Sequence, residues 1–141
     1  MNDKLDDFVN NLQKQIFDEA KDTLGEAGFE RWQNPKYRGK IENHDVHVKV
    51  TGACGDTMEI FFKIDNGKIL DASYITDGCG ASNVCGSFAA ELAINKKIED
   101  IADITEKDIL AKLGNLPDKE QHCATLAAGT LHEALKKYMR N

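Results

Sequence analysis

Apolar residues at Leu5, Phe8, Val9, Leu12, Ile16 and Leu24 recur at three- and four-residue steps, which predicts an amphipathic helix at the start of the chain. Asn2 or Asp3 can cap its first turn, and Gly25 or Gly28 can end it. Its opposite face, Asp6, Lys14, Asp18, Lys21 and Asp22, reads as a solvated surface, with a docking helix as the alternative. Phe29 to Gly39 reads as a connector, because a residue before proline avoids helical backbone and Asn34 precedes Pro35. Phe29, Trp32 and Tyr37 are then anchors that pack this segment onto the domain.

The periodicity next changes from helical to strand-like. Val46, Val48 and Val50 alternate with Asp45, His47 and Lys49. Met58 to Ile64 and Lys68 to Ile75 are two further runs rich in β-branched and aromatic residues. Asp65-Asn66-Gly67-Lys68 joins the last two and is a tight-turn signal. The expected arrangement is a three-stranded antiparallel meander. In a meander the first connection, Thr51 to Asp56, and the end of the third strand fall at the same end of the sheet. Cys54 in that connection and Cys79 after the third strand are therefore expected at one edge.

Gly78-Cys79-Gly80 marks a change from strand to helix. Val84, Phe88, Leu92 and Ile94, with alanines between them, carry the helical pattern onward. Backbone N–H groups at a helix start favour negative charge, and a thiol there is shifted toward the thiolate that binds metal and attacks sulfur. Thr105 with Asp108 resembles a capping box opening a short helix that Gly114 ends. Leu116 to Lys119 reads as a loop. A last amphipathic helix carries Cys123, Leu126, Ala127, Thr130, Leu131, Ala134, Leu135 and Tyr138, with Lys136, Lys137 and Arg140 where positive charge suits the C-terminus.

Composition narrows the function classes. A chain of 141 residues with net charge −6 fits one globular domain, and such a balance argues against a nucleic-acid surface. No apolar run approaches the ~20 residues of a membrane span. The acidic N-terminus, Met1 to Asp7, lacks an apolar signal core, so a cytoplasmic protein is expected. Four cysteines in such a setting point to metal or thiol chemistry more than to disulfides.

Three groups could carry that chemistry: Cys54-Gly55-Asp56, Gly78-Cys79-Gly80 and His122-Cys123. Each offers a thiolate, and Asp56 and His122 add a carboxylate and an imidazole, a set suited to zinc or iron–sulfur centres. No C-x-x-C, H-E-x-x-H or zinc-finger spacing is present, nor a phosphate-binding glycine loop. Cys85 reads as a small buried hydrophobe rather than an auxiliary ligand or redox thiol, and His44, His47 and His132 as structural residues.

Asn34-Pro35 with Gly39, Ala53 to Asp56, Asp77 to Ser82 and His122 to Ala127, in this order and spacing, resemble the IscU/NifU-type scaffolds of iron–sulfur cluster assembly. The resemblance runs from about Trp32 to Tyr138. It implies an α+β fold in which a three-stranded antiparallel sheet packs against helices, here with an extra N-terminal helix (residues 1–28) before the core (29–141) of one scaffold domain. It implies a non-enzymatic role: a cysteine desulfurase delivers sulfur, iron binds, a labile [2Fe–2S] cluster forms, and apo-proteins receive it. Cys54, Cys79 and Cys123 would be cluster ligands with Asp56 or His122 as the fourth, and Cys123 the persulfide acceptor. Zinc is also found in such sites. The alternatives are a zinc-bound sulfur acceptor serving a desulfurase and a thiol–disulfide protein using Cys79 and Cys85. The family's Leu-Pro-Pro-Val-Lys loop is here Leu116-Pro117-Asp118-Lys119-Glu120, which puts handover through a dedicated heat-shock chaperone in doubt.

Overall fold

The computed structural model describes residues 3–53, 55–78, 80–114 and 116–140, apart from the side chains of Ala20, Thr23 and Lys119. The elements run α1 (Asp3–Gln33), β1 (Val46–Thr51), β2 (Thr57–Asp65), β3 (Lys68–Thr76), α2 (Gly80–Ala93), α3 (Glu106–Leu113) and α4 (His122–Arg140). Short 3-10 turns at Ile98–Asp103 and Asp118–Glu120 precede α3 and α4. The sheet is the expected antiparallel meander in the order β1-β2-β3. Asn66 (φ 52°) and Gly67 (φ 74°) both take positive φ, as a two-residue hairpin turn that matches strand twist requires.

One sheet face builds the core. Ile60 faces Tyr74 across β2 and β3, Phe62 faces Ala72, and Val46 faces Phe62 across β1 and β2, all of them buried. Val84, Cys85, Phe88 and Ala89 of α2 and Ala127, Leu131 and Ala134 of α4 cover them. Helix α2 lies so close to β3 that a Cβ at Gly86 would stand 2.7 Å from Tyr74 Cδ2. The predicted capping box is present, with Asp108 Oδ2 accepting the Thr105 N–H at 2.9 Å, and Gly114 ends α3 at φ 84°.

One expectation for the N-terminal region fails. The connector foreseen from Phe29 is helical as far as Gln33. Gly25 ends the first helical stretch, as the sequence allows: its φ of 76° and ψ of 175° turn the chain, and a second helical stretch follows directly. Phe17 and Phe29 would be about 18 Å apart on a straight helix, yet their ring centroids are 6.0 Å apart, and Phe17 lies 6.2 Å from Trp32. This aromatic cluster holds the fold-back. Pro35 then stops the helix. Most of the apolar stripe lies outside the core. Leu24 is buried, but Leu5, Phe8, Val9, Leu12 and Ile16 are 46–63% exposed. The second stretch docks instead, through the buried Arg31, which donates to Ser87 Oγ (3.0 Å) and Glu91 Oε1 (2.8 Å).

Candidate metal centre

The meander places the β1–β2 connection, the end of β3 and the start of α2 at one end of the sheet, and the first turn of α4 packs there. Gly52 N–H donates to the Asp56 carbonyl (2.8 Å), and Gly55 N–H to that of Gly52 (3.0 Å), closing a tight turn. At the other connection Thr76 Oγ1 donates to the Thr57 carbonyl and accepts the Gly78 N–H at 3.1 Å. Asp77 Oδ1 accepts the Thr57 N–H at 2.7 Å, and that bond holds its carboxyl below the usual aspartate range.

These turns meet each other and α4. A Cβ at Gly78 would lie 2.5 Å from Ser82 Oγ and 2.9 Å from Asp56 Oδ2. A Cβ at Gly52 would lie 3.3 Å from Leu126 Cδ1. Ser82, fully buried in the first turn of α2, has its hydroxyl 3.3 Å from Cys123 Sγ and 3.4 Å from Asp56 Oδ2. That hydroxyl has one proton, so carboxylate and sulfur compete for it. Cys123 is fully buried, and its Sγ lies 3.6 Å from Nε2 of the exposed His122. Thr125 donates to Glu106, tying this turn of α4 to α3. A cleft of about 160 Å³, lined by Gly52, Ala53, His122, Thr125 and Leu126, opens beside it.

Of the five residues singled out in the sequence, the structure brings Asp56, His122 and Cys123 to this corner. Cys54 and Cys79 lie outside the described residues, although the glycines beside both, Gly55 and Gly78, belong to these turns. Two further residues join the corner. Ser82 bridges Asp56 and Cys123. Ligand atoms of Glu120, His122 and Cys123 all lie within 4.8 Å of one another. The signal for Glu120 was its place two residues before His122, so that four consecutive positions offer three metal-type donors. Cys85 is fully buried in the core. The other histidines serve packing: His44 Nδ1 lies 2.7 Å from the Ile41 carbonyl, His47 stacks on Phe61, and His132 Nε2 lies 2.7 Å from the Ile104 carbonyl.

The donor set fits a metal of borderline softness. Carboxylate oxygen, imidazole nitrogen and thiolate sulfur are each ordinary ligands of zinc and iron. In a tetrahedral zinc site a nitrogen and a sulfur ligand stand about 3.5 Å apart, which the His122–Cys123 separation already matches.

Comparison with known proteins places the chain in a family and agrees with its fold. Residues 25–141 match the family model described as NifU-like N terminal domain. The chain is 39% identical over 113 residues to the iron–sulfur cluster assembly scaffold protein IscU 1 of Archaeoglobus fulgidus, covering 79% of this chain and 74% of that one. It is 37% identical over 115 residues to the iron–sulfur cluster assembly enzyme IscU of Drosophila melanogaster, covering 77% and 73%. The crystal structure of a NifU-like protein (N-terminal) from Brucella abortus superposes with a TM-score of 0.67 at 16% identity, over 86% of this chain and 97% of that one. Among the described residues no helix is long and apolar enough to cross a membrane.

Proposed function

The chain belongs to the family of NifU-like N-terminal domains, and from that premise we propose that it is an iron–sulfur cluster assembly scaffold. In this reading it takes sulfur from a cysteine desulfurase, binds iron, holds a labile [2Fe–2S] cluster as cargo and passes it to apo-proteins. Cys54, Cys79 and Cys123 supply thiolates, and Asp56 or His122 completes the coordination. The observation that carries the reading is the meeting of Asp56, Ser82, His122 and Cys123, from three separate stretches of chain, beside Gly55 and Gly78, the sequence neighbours of Cys54 and Cys79.

The residues divide the work by their chemistry. The Asp56 oxygen and the His122 nitrogen are weaker partners for soft iron–sulfur sites than thiolate, which suits a cargo that must leave. The turns at residues 52–56 and 76–78 are connections rather than rigid elements, so their ligands can separate for release. For sulfur delivery, the Cys123 thiolate attacks the outer sulfur of the desulfurase persulfide. One S–S bond forms as the other breaks, and the desulfurase thiolate leaves with no net oxidation. Cys123 is fully buried, so this transfer requires the first turn of α4 to open at the exposed His122.

The same donors suit zinc, and a zinc-holding sulfur acceptor is the second reading that this mixed set favours. The test is anaerobic purification and reconstitution with ferrous iron and a sulfur source, read by absorption and metal analysis. The scaffold reading expects visible charge-transfer bands that vanish on mixing with an apo-acceptor as the acceptor gains its own. A colourless protein with stoichiometric zinc that resists exchange supports the second reading. Bands that never transfer refute the scaffold role.

A further inference from the structure

Glu120 lies two residues before His122 and three before Cys123. It is the last residue of the 3-10 turn Asp118–Glu120, whose geometry is fixed by the Glu120 N–H donating to the Pro117 carbonyl at 2.8 Å. Gln121 follows, and its side chain is engaged with Asp118 Oδ1 (3.1 Å) and the Leu116 carbonyl (3.5 Å). Helix α4 then begins at His122. This sharp passage from 3-10 turn to helix brings the ligand atoms of Glu120, His122 and Cys123 within 4.8 Å of one another. Tetrahedral ligands of a zinc-sized ion stand about 3.3–3.8 Å apart. The three ligand atoms thus stand within about an ångström of that spacing.

We propose that Glu120 is a metal ligand of this centre, an oxygen donor that with His122 and Cys123 captures a divalent iron or zinc ion. The proposal rests on the metal-centre reading above and adds a residue to it. Oxygen, nitrogen and sulfur from one short segment form a chelate whose members need not travel to meet, so the ion is held before the more distant turns close on it. The loop before α4 is thereby a metal-entry element of this chain.

The test uses Co²⁺ and Zn²⁺ alone, with the full chain made metal-free by chelator. Cobalt reports sulfur ligation through its near-ultraviolet charge-transfer band and the whole ligand set through its visible ligand-field bands. Glu120→Gln should weaken Co²⁺ and Zn²⁺ binding at least ~10-fold, shift the ligand-field bands and keep the sulfur band, while the metal-free melting temperature stays that of the wild type. Cys123→Ser should lose the sulfur band. Wild-type affinity and bands in Glu120→Gln, with Cys123→Ser defective, would overturn the role of Glu120 and leave the metal centre standing. Weaker binding accompanied by a lowered metal-free melting temperature would assign Glu120 to folding and overturn it too. Unchanged binding in Cys123→Ser and His122→Ala would overturn the metal centre itself, and Glu120 with it.

Discussion

Gly78→Ala is the smallest change that reaches the proposed centre without replacing one of its ligands. A methyl group there would sit 2.5 Å from Ser82 Oγ, 2.7 Å from Ser82 Cβ and 2.9 Å from Asp56 Oδ2, where ordinary Cβ contacts lie at 3.4–4 Å. The Ser82 hydroxyl can rotate away, but its Cβ is fixed to the first turn of α2. Either α2 or the turn at 76–78 must therefore shift by more than half an ångström. Overpacking of this kind costs about 1–3 kcal/mol, which for a chain of this size lowers the melting temperature by roughly 3–10 °C. The shift also drives Asp56, a proposed ligand, and Ser82, which supports Cys123, off their positions, and displacing a supporting group alone typically costs ~10–100-fold in metal affinity. The assay is Zn²⁺ competition against a chromophoric chelator, beside thermal unfolding of the metal-free protein. Gly129→Ala is the control: it lies within α4 with nothing within 4 Å of the added carbon, and it should gain up to about 1 kcal/mol from helix propensity. Wild-type affinity and stability in Gly78→Ala would refute the tight contact among Gly78, Ser82 and Asp56.

Three further outcomes follow from the same geometry. Asp56→Ala removes an oxygen donor and leaves the Ser82 hydroxyl to Cys123 alone, so a reconstituted cluster should survive chelator several-fold longer; decay that is unchanged or faster counts against a releasing role for Asp56. Arg31→Ala strips Ser87 and Glu91 of a partner and removes a guanidinium 4.1 Å above the Phe88 ring. It should destabilise by about 2–4 kcal/mol in denaturant titration, short of the full cost of a broken buried pair because Glu91 is 28% exposed and keeps Lys112 at 3.7 Å. A loss under 1 kcal/mol would refute the anchoring of α1 to α2 by Arg31. Asp77 has a folded-state pKa below its ordinary 3.8, chiefly through the Thr57 backbone bond. The folded state thus binds fewer protons, and the stability Asp77 lends is complete above 3.8 and is lost as pH falls through the lowered value. Asp77→Asn should flatten the fall of melting temperature below pH 4, and an acid limb as steep as the wild type would contradict it.

The sheet was legible because its signals are local. Asn66-Gly67 forces one turn, and the alternation of Val46, Val48 and Val50 with polar residues forces one register. Thr105 and Asp108 announce a helix start with two side chains three residues apart. The fold-back at Gly25 was not legible, since Gly25 and Gly28 read equally as helix ends. The decision belongs to Phe17, Phe29 and Trp32, which meet only once the chain has reversed. The stripe from Leu5 to Ile16 shows an apolar face by its spacing, but spacing cannot say that α2 and α4 already occupy the sheet. At the candidate centre, cysteine, histidine and aspartate stood out by chemical type. Ser82 and Glu120 did not, because a serine in a helix's first turn and a glutamate in a polar loop are commonplace until their distances to Cys123 are known.

The account depends on thiolates from distant parts of the chain sharing one ion. X-ray absorption at the zinc edge of the zinc-loaded protein counts them directly. The prediction is about three sulfurs near 2.3 Å with one or two nitrogen or oxygen neighbours near 2.0 Å, falling by one sulfur in each of Cys54→Ser, Cys79→Ser and Cys123→Ser. A shell of light atoms with a single sulfur, unchanged in Cys54→Ser and Cys79→Ser, would contradict it.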